Sequence, residues 1–214
     1  SLLNMNFLHK RLTYICISAL SLFLFVLLSY MMWISYEPAH NLNQNFFLST
    51  IDTNISSYST FWRIVTSFGG FVFLDVLTLF TSTYFFYKRN IVDALIYAVG
   101  MSGGLVLVGA IKHVTAVDRP DYIHAIEETF SFPSGHTALS VIFLIVTGYL
   151  YASNKTMQYK KVVLLLTLAA SLLIAISRLM LGEHWILDVV GGYLLGLFFA
   201  SSVILFFSRG PARG

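Results

Sequence analysis

Three short stretches of this chain carry residue types that could act together on a phosphate. The first is KHVTAVDRP, from Lys112 to Pro120; the second is SFPSGH, from Ser131 to His136; the third is SRLMLGEHWILD, from Ser177 to Asp188. Together they offer three cations, Lys112, Arg119 and Arg178. Three cations beside a low-dielectric surface repel one another unless an anion sits between them. Guanidinium forks match phosphate oxygens and lysine adds a point charge. Ser134 adds a hydroxyl, and the backbone around Gly135 adds N–H groups at a helix start, which together describe a phosphate cradle.

The reactive groups lie beside the cradle. His184 and Asp188 are four residues apart, so on a helix they share a face. A carboxylate there accepts from one imidazole nitrogen and leaves the other free as nucleophile or base. His136 is a second imidazole, suited to protonating a leaving group. The residues alone leave open which histidine attacks. They contain no carboxylate cluster of the kind that holds Mg²⁺, and the three fixed cations can neutralise charge instead. No metal and no cofactor are therefore expected.

The surrounding composition says what positions these groups. The chain has 214 residues, 57% hydrophobic and 11% charged, against about 25% charged in a soluble domain. It reads as one integral membrane domain over 1–214. A span needs about 20 mostly apolar residues, and six candidates lie at roughly 13–34, 62–87, 91–111, 136–152, 162–178 and 185–207. The first is too long for a signal peptide and lacks a small-residue cleavage site, so it reads as a retained span. Ser1 and the terminal SRGPARG read as expression remnants. Cys16, the single cysteine, excludes an intramolecular disulfide and reads as a packing residue.

Basic residues set the topology. Nine of the thirteen fall on one side, namely Lys10, Arg11, Lys88, Arg89, Lys155, Lys160, Lys161, Arg209 and Arg213; Arg63, Lys112, Arg119 and Arg178 fall on the other. The expected class is all-α, a six-helix transmembrane bundle with both termini cytoplasmic and the site at the outer interface. Trp33, Trp62 and Trp185 sit at outer span ends, where indoles are favoured. The segments 35–61, 112–135 and 179–184 then read as outer loops. Paired glycines (Gly69-Gly70, Gly103-Gly104, Gly191-Gly192) read as close helix packing.

In order and internal spacing, Lys112 and Arg119-Pro120, then Pro133-Ser134-Gly135-His136, then Ser177-Arg178, His184 and Asp188 resemble the three-part signature of the type 2 phosphatidic acid phosphatase family. The motifs span 112–188, and the six-span layout extends the likeness to nearly the whole chain. The resemblance implies that His184 is the nucleophile that forms a phosphohistidine, with Asp188 orienting it and His136 as general acid. It implies that Lys112, Arg119, Ser134, Gly135 and Arg178 hold the phosphoryl oxygens, without a metal. It points to a hydrolase for a lipid phosphate or diphosphate. Compact bacterial members, acting on undecaprenyl diphosphate, phosphatidylglycerophosphate or lipid A, are the most similar, and the absence of an appended domain favours a cytoplasmic-membrane enzyme. The expected partners are the lipid substrate and membrane lipids, with no nucleic acid. Two alternatives are a phosphotransferase of the same fold and a non-catalytic lipid-phosphate transporter or binding protein.

Other polar residues have plainer readings. Asp75 in the second span is either functional, or protonated or bonded to a nearby Ser or Thr. His113 and His124 have no metal-ligand spacing. Glu183 and Asp118 either tune the site or are surface charges. Asn54 begins a weak glycosylation pattern.

Overall fold

The computed structural model describes residues 2–51, 55–120, 130–152 and 155–208, with side chains described for 8–50, 60–120, 130–152 and 155–208. The described residues form eight α-helices: α1 (Leu2–Trp33), α2 (Glu37–Ile51), α3 (Ile55–Ser67), α4 (Phe71–Tyr87), α5 (Ile91–Thr115), α6 (Gly135–Ala152), α7 (Met157–Met180) and α8 (Ile186–Phe207). Among the described residues six stretches are long and apolar enough to cross a membrane: Leu8–Trp33, Thr60–Tyr87, Ile91–Thr115, Gly135–Ala152, Met157–Met180 and Ile186–Phe207. Their apolar side chains cover much of the outside, as with Phe23, Val72, Leu79, Val106 and Leu165. A bundle bathed in hydrocarbon has no reason to hide such residues. The chain is an integral membrane protein.

Two expectations need correction. The segment 35–61 is not a plain loop: it holds α2 and the first part of α3. Apolar and polar residues alternate in helical register there, but the stretch is too polar to read as a span. The second span is also not one helix. It breaks between Ser67 and Phe71, where Gly69 N–H and Gly70 N–H close tight turns onto the carbonyls of Thr66 and Ser67. Several ends shift as well. The fifth helix runs on to Thr115, so Lys112 sits in a last helical turn rather than a loop, and α7 starts at Met157. Cys16, read as a packing residue, is exposed on α1. Asn54, His124, Arg209 and Arg213 lie outside the described residues.

The centre of the bundle is α6, which packs against α4, α5, α7 and α8, with α8 held between α6 and α1. Leu139, Ile142 and Val146 of α6 join Tyr97 and Met101 of α5 and Ala200 and Val203 of α8 in one buried cluster. A second cluster near the other end joins Phe25 and Leu28 of α1, Phe132, Ala138 and Leu195. Phe132 is fully buried and stacks on Phe25 with ring centroids 5.9 Å apart. The starts of α4, α6 and α8 and the ends of α5 and α7 lie at one end of the bundle. Lys88, Arg89 and Lys155 lie in the connections at the other end, and Lys160 and Lys161 in the first turns of α7 there.

Helices α6 and α8 approach too closely for side chains along part of their seam. A Cβ on Gly192 would sit 2.6 Å from the Ser134 carbonyl oxygen; one on Gly196 would sit 2.7 Å from Val141 Cβ and 2.8 Å from the Ala138 carbonyl oxygen. The obstacles are backbone and a β-branched stem, which cannot swing aside. Gly109 on α5 has nothing within 4 Å of an added Cβ. We expect Gly196→Ala to cost about 1–3 kcal/mol by overpacking and to lower the thermal midpoint in detergent. Gly109→Ala should leave it unchanged or slightly raised, because alanine favours helix.

Candidate active site

Local sequence sets the three segments. Helix α5 ends at Ala116, whose left-handed conformation (φ 47°) turns its N–H onto the Lys112 carbonyl. The next residues form a short ledge. Ser131 N–H donates to the Val117 carbonyl at 2.7 Å, and Ser131 Oγ donates to the Asp118 carbonyl at 3.1 Å. Lys112 Nζ donates to the Phe130 carbonyl and, at 3.4 Å, to that of Ser131. The second segment contains a cis Phe132–Pro133 bond, and α6 starts at Gly135. Ser134 precedes the helix, and its Oγ accepts from Thr137 N–H at 3.5 Å as well as from Thr137 Oγ1 at 3.0 Å. That is helix-capping geometry, and the Ser134 hydroxyl proton stays available for donation.

The third segment leaves α7 through Gly182, at φ 66°. A left-handed residue closes the helix, with Gly182 N–H on the Leu179 carbonyl and Glu183 N–H on the Arg178 carbonyl. Arg178, in the last turn of α7, therefore stands beside Glu183 and His184. Its side chain is buried, with Nη1 donating to Thr66 Oγ1 at 2.8 Å and Nη2 paired with the Glu183 carboxylate.

Cross-links register the segments on one another. Ser134 N–H donates to the Asp188 carbonyl at 2.9 Å, tying the start of α6 to the first turn of α8. Arg119 Nη1 donates to the Glu183 carbonyl at 2.9 Å and lies 3.4 Å from His184 Nε2. Trp185 Nε1 donates to the Asp118 carbonyl at 2.8 Å. His136 is half-buried, and its ring lies 5.3 Å from that of Phe71 at the start of α4.

The nucleophile candidate is ordered by this frame. His184 Nδ1 is 3.3 Å from Asp188 Oδ2, which also accepts Trp185 N–H at 2.9 Å. A guanidinium has only donors, so the nitrogen facing Arg119 must carry the lone pair. The network thus assigns the proton to Nδ1, toward Asp188, and the lone pair to Nε2, among the cations. Burial first, then Arg178, Arg119, Lys112 and His136, push the His184 imidazole well below its ordinary value. Each of these causes disfavours imidazolium. A neutral imidazole is the nucleophilic form.

Lys112, Arg119, Ser134, Gly135, His136, Arg178, His184 and Asp188 are all brought to this end of the bundle. Thr66 was invisible in the sequence because it is one hydroxyl in a serine- and threonine-rich helix. Glu183 pairs with buried Arg178 and so is more than a surface charge. Asp118 keeps an exposed side chain and contributes its carbonyl; Asp75 and His113 are exposed on α4 and α5.

A family model for the PAP2 superfamily matches residues 93–210, more than half of the chain and all three segments. Phosphatidylglycerophosphatase B of Bacillus subtilis is 30% identical over 136 residues, covering 62% of this chain and 67% of that protein. An undecaprenyl-diphosphatase of Sulfolobus acidocaldarius is 27% identical over 140 residues, covering 62% of this chain and 64% of that protein. The crystal structure of a transmembrane PAP2-type phosphatidylglycerolphosphate phosphatase from Bacillus subtilis superposes with a TM-score of 0.80 at 24% identity, over 88% of this chain and 94% of that one. The chain belongs to the PAP2 superfamily. It is an integral membrane hydrolase of the phosphatase class.

A lowered imidazole pKa keeps His184 neutral, and competent, as pH falls below about 6.5. We expect the acid limb of kcat/KM assigned to His184 to lie well below that value. In Arg119→Gln one cation is removed, so the limb should move up, whatever happens to the absolute rate. A pH–rate profile of both proteins on one substrate checks this, and an unmoved limb would remove Arg119 from the field at His184.

Proposed function

We propose that the protein is a metal-independent phosphatase for a lipid phosphate or diphosphate, working through a phosphohistidine on His184. The observation that carries this is the aim of His184: Nδ1 faces Asp188 at 3.3 Å while Nε2 faces the cations, 3.4 Å from Arg119. A phosphoryl group bound there meets the lone pair. Lys112, Arg119, Arg178, Ser134 and the Gly135 backbone hold its oxygens; the starts of α6 and α8 add positive helix-end potential.

The Nε2 lone pair forms a P–N bond as the bond to the leaving oxygen breaks, and His136 gives that oxygen a proton. Asp188 holds the Nδ1 proton while positive charge grows on the ring. Water then attacks phosphorus, His136 takes its proton, and the P–N bond breaks to release inorganic phosphate. The donor set fits a mechanism without metal, since three cations surround the reacting position and its two carboxylates, Asp188 and Glu183, already face His184 and Arg178.

A lipid substrate follows from location. The reacting groups lie at helix ends beside an apolar exterior, so a head group reaches them while its chains stay in the bilayer. Relatives named for phosphatidylglycerophosphate and undecaprenyl diphosphate support that class, and those two lipids are the first candidates. The site end carries few basic residues and the opposite turns carry many, which supports cytoplasmic termini and a site facing the exterior of a bacterial cytoplasmic membrane.

The test is phosphate release from a panel of lipid phosphates and diphosphates in detergent with excess EDTA. Wild type should turn over and His184→Ala should not. Asp188→Asn should fold but slow turnover by about 10³–10⁴, and vanadate should inhibit. Loss of wild-type activity in EDTA with rescue by Mg²⁺ would count against the mechanism, as would wild-type turnover by the His184→Ala chain.

A further inference from the structure

Helix α8 begins without a side-chain acceptor from its own N-cap residue. Its first residue is Ile186, and Trp185 ahead of it has an indole, which donates and cannot accept. That indole is spent on the Asp118 carbonyl. Asp188, in the third helical position, turns Oδ2 back to Trp185 N–H and also faces His184 Nδ1. One carboxylate oxygen thus closes the helix start and orients the imidazole. The amide of Leu187 remains, and an unmet N–H at a helix start invites fraying.

Its acceptor comes from far away in the sequence. Asn43 Oδ1, on α2, accepts Leu187 N–H at 3.1 Å. A backbone amide only donates, so the facing atom must be the side-chain oxygen. Asn43 is 3% exposed, and Ala39, one turn earlier, is also buried. One turn later, Phe47 packs its ring 5.2 Å from that of Trp185, edge to face. Residues 39, 43 and 47 form one stripe of α2 laid across the turn that carries His184 and Asp188. An asparagine in a half-polar helix is usually on the surface; this one is buried and its oxygen is used.

We propose that Asn43 is a positioning residue for the His184–Asp188 pair. By capping Leu187 it holds the first turn of α8 and lets Asp188 Oδ2 keep both partners. Without it the turn loosens, and the carboxylate is drawn between closing the helix and orienting the ring. The three cations stand on α5, the ledge after it and α7, so phosphate binding is spared. The loss falls on kcat. The inference rests on the reading of His184 as nucleophile.

The experiment measures kcat, KM and the thermal midpoint in detergent for wild type, Asn43→Ala, Asn43→Asp and His184→Ala on the best lipid phosphate. The alanine variant should lose about tenfold in kcat, the scale of a lost helix cap, with KM within about twofold. The isosteric aspartate keeps an acceptor oxygen and should recover most of the rate. An alanine variant with wild-type kcat, or an aspartate variant as slow as the alanine one, overturns the proposal. So does a rate loss matched by a rise in KM. If the alanine chain does not survive purification, the aspartate decides alone: near-wild-type turnover supports the proposal, and a loss as deep as that of His184→Ala overturns it. An active His184→Ala chain sinks the underlying mechanism, which separates that failure from an error about Asn43.

Discussion

Bringing three cations together at the edge of an apolar bundle is the constraint from which the other features of this end follow. Two like charges 4 Å apart repel by about 4 kcal/mol at an effective dielectric constant of 20. The chain spreads the burden over separate elements: Lys112 in the last turn of α5, Arg119 on the ledge after it, and Arg178 in the last turn of α7. Helix C-termini favour cations, so two of the three have local support. Each also meets oxygen. Lys112 takes the carbonyls of Phe130 and Ser131, Arg119 that of Glu183, and Arg178 the Thr66 hydroxyl and the Glu183 carboxylate. The same field that is costly to assemble keeps His184 neutral and favours an incoming anion. Stability and chemistry here draw on one electrostatic source.

That field is useful only if the imidazole lies at a fixed distance from it, and the packing of α6 on α8 sets the distance. The Ser134 N–H to Asp188 carbonyl bond fixes the start of one helix against the first turn of the other. Gly192 makes the approach possible, since any side chain there would strike the Ser134 carbonyl. A shift along this seam would move Gly135 and His136 relative to His184 and Asp188 together. Small residues at a lipid-embedded helix contact let backbones meet closely; here the closeness also positions polar groups. The buried cluster of Phe132, Phe25, Ala138 and Leu195 supports the seam from the α1 side.

The sequence made some of this legible. Residues that bear charge or an imidazole stand out in a chain with so few of them, and their order and spacing drew attention to the three segments. The six apolar stretches were visible for the same reason. What it hid were the partners that are chemically ordinary. Thr66 and Asn43 are common residue types in α3 and α2, and their value comes from contacts 112 and 144 residues away along the chain. The helical parts of 35–61, α2 and the start of α3, were hidden too, because short helices at the bundle end lack the long apolar run that marks a span. In sequence Gly69-Gly70 reads as close packing, since a glycine pair within an apolar stretch has the same composition whether the helix continues or turns. Backbone carbonyls, which accept from Lys112, Arg119 and Trp185, leave no trace in residue type at all.

This division has a consequence for how the end of the bundle holds together. The motif residues supply the charges and the imidazoles, while non-motif residues supply several of the acceptors that fix their directions. Arg178 is aimed by Thr66, which reaches it from α3, and α3 can reach α7 only because the chain breaks before α4. Leu187 is capped by Asn43, which reaches it from α2. Residues between α1 and α4 therefore grip the site end of the bundle twice, once at a cation and once at the turn bearing His184 and Asp188. A hydrogen bond to a charged group is worth roughly 1.5–3 kcal/mol and a neutral one about half that, so neither grip is strong alone. The precision of the cluster thus depends on a segment that contributes none of its charges.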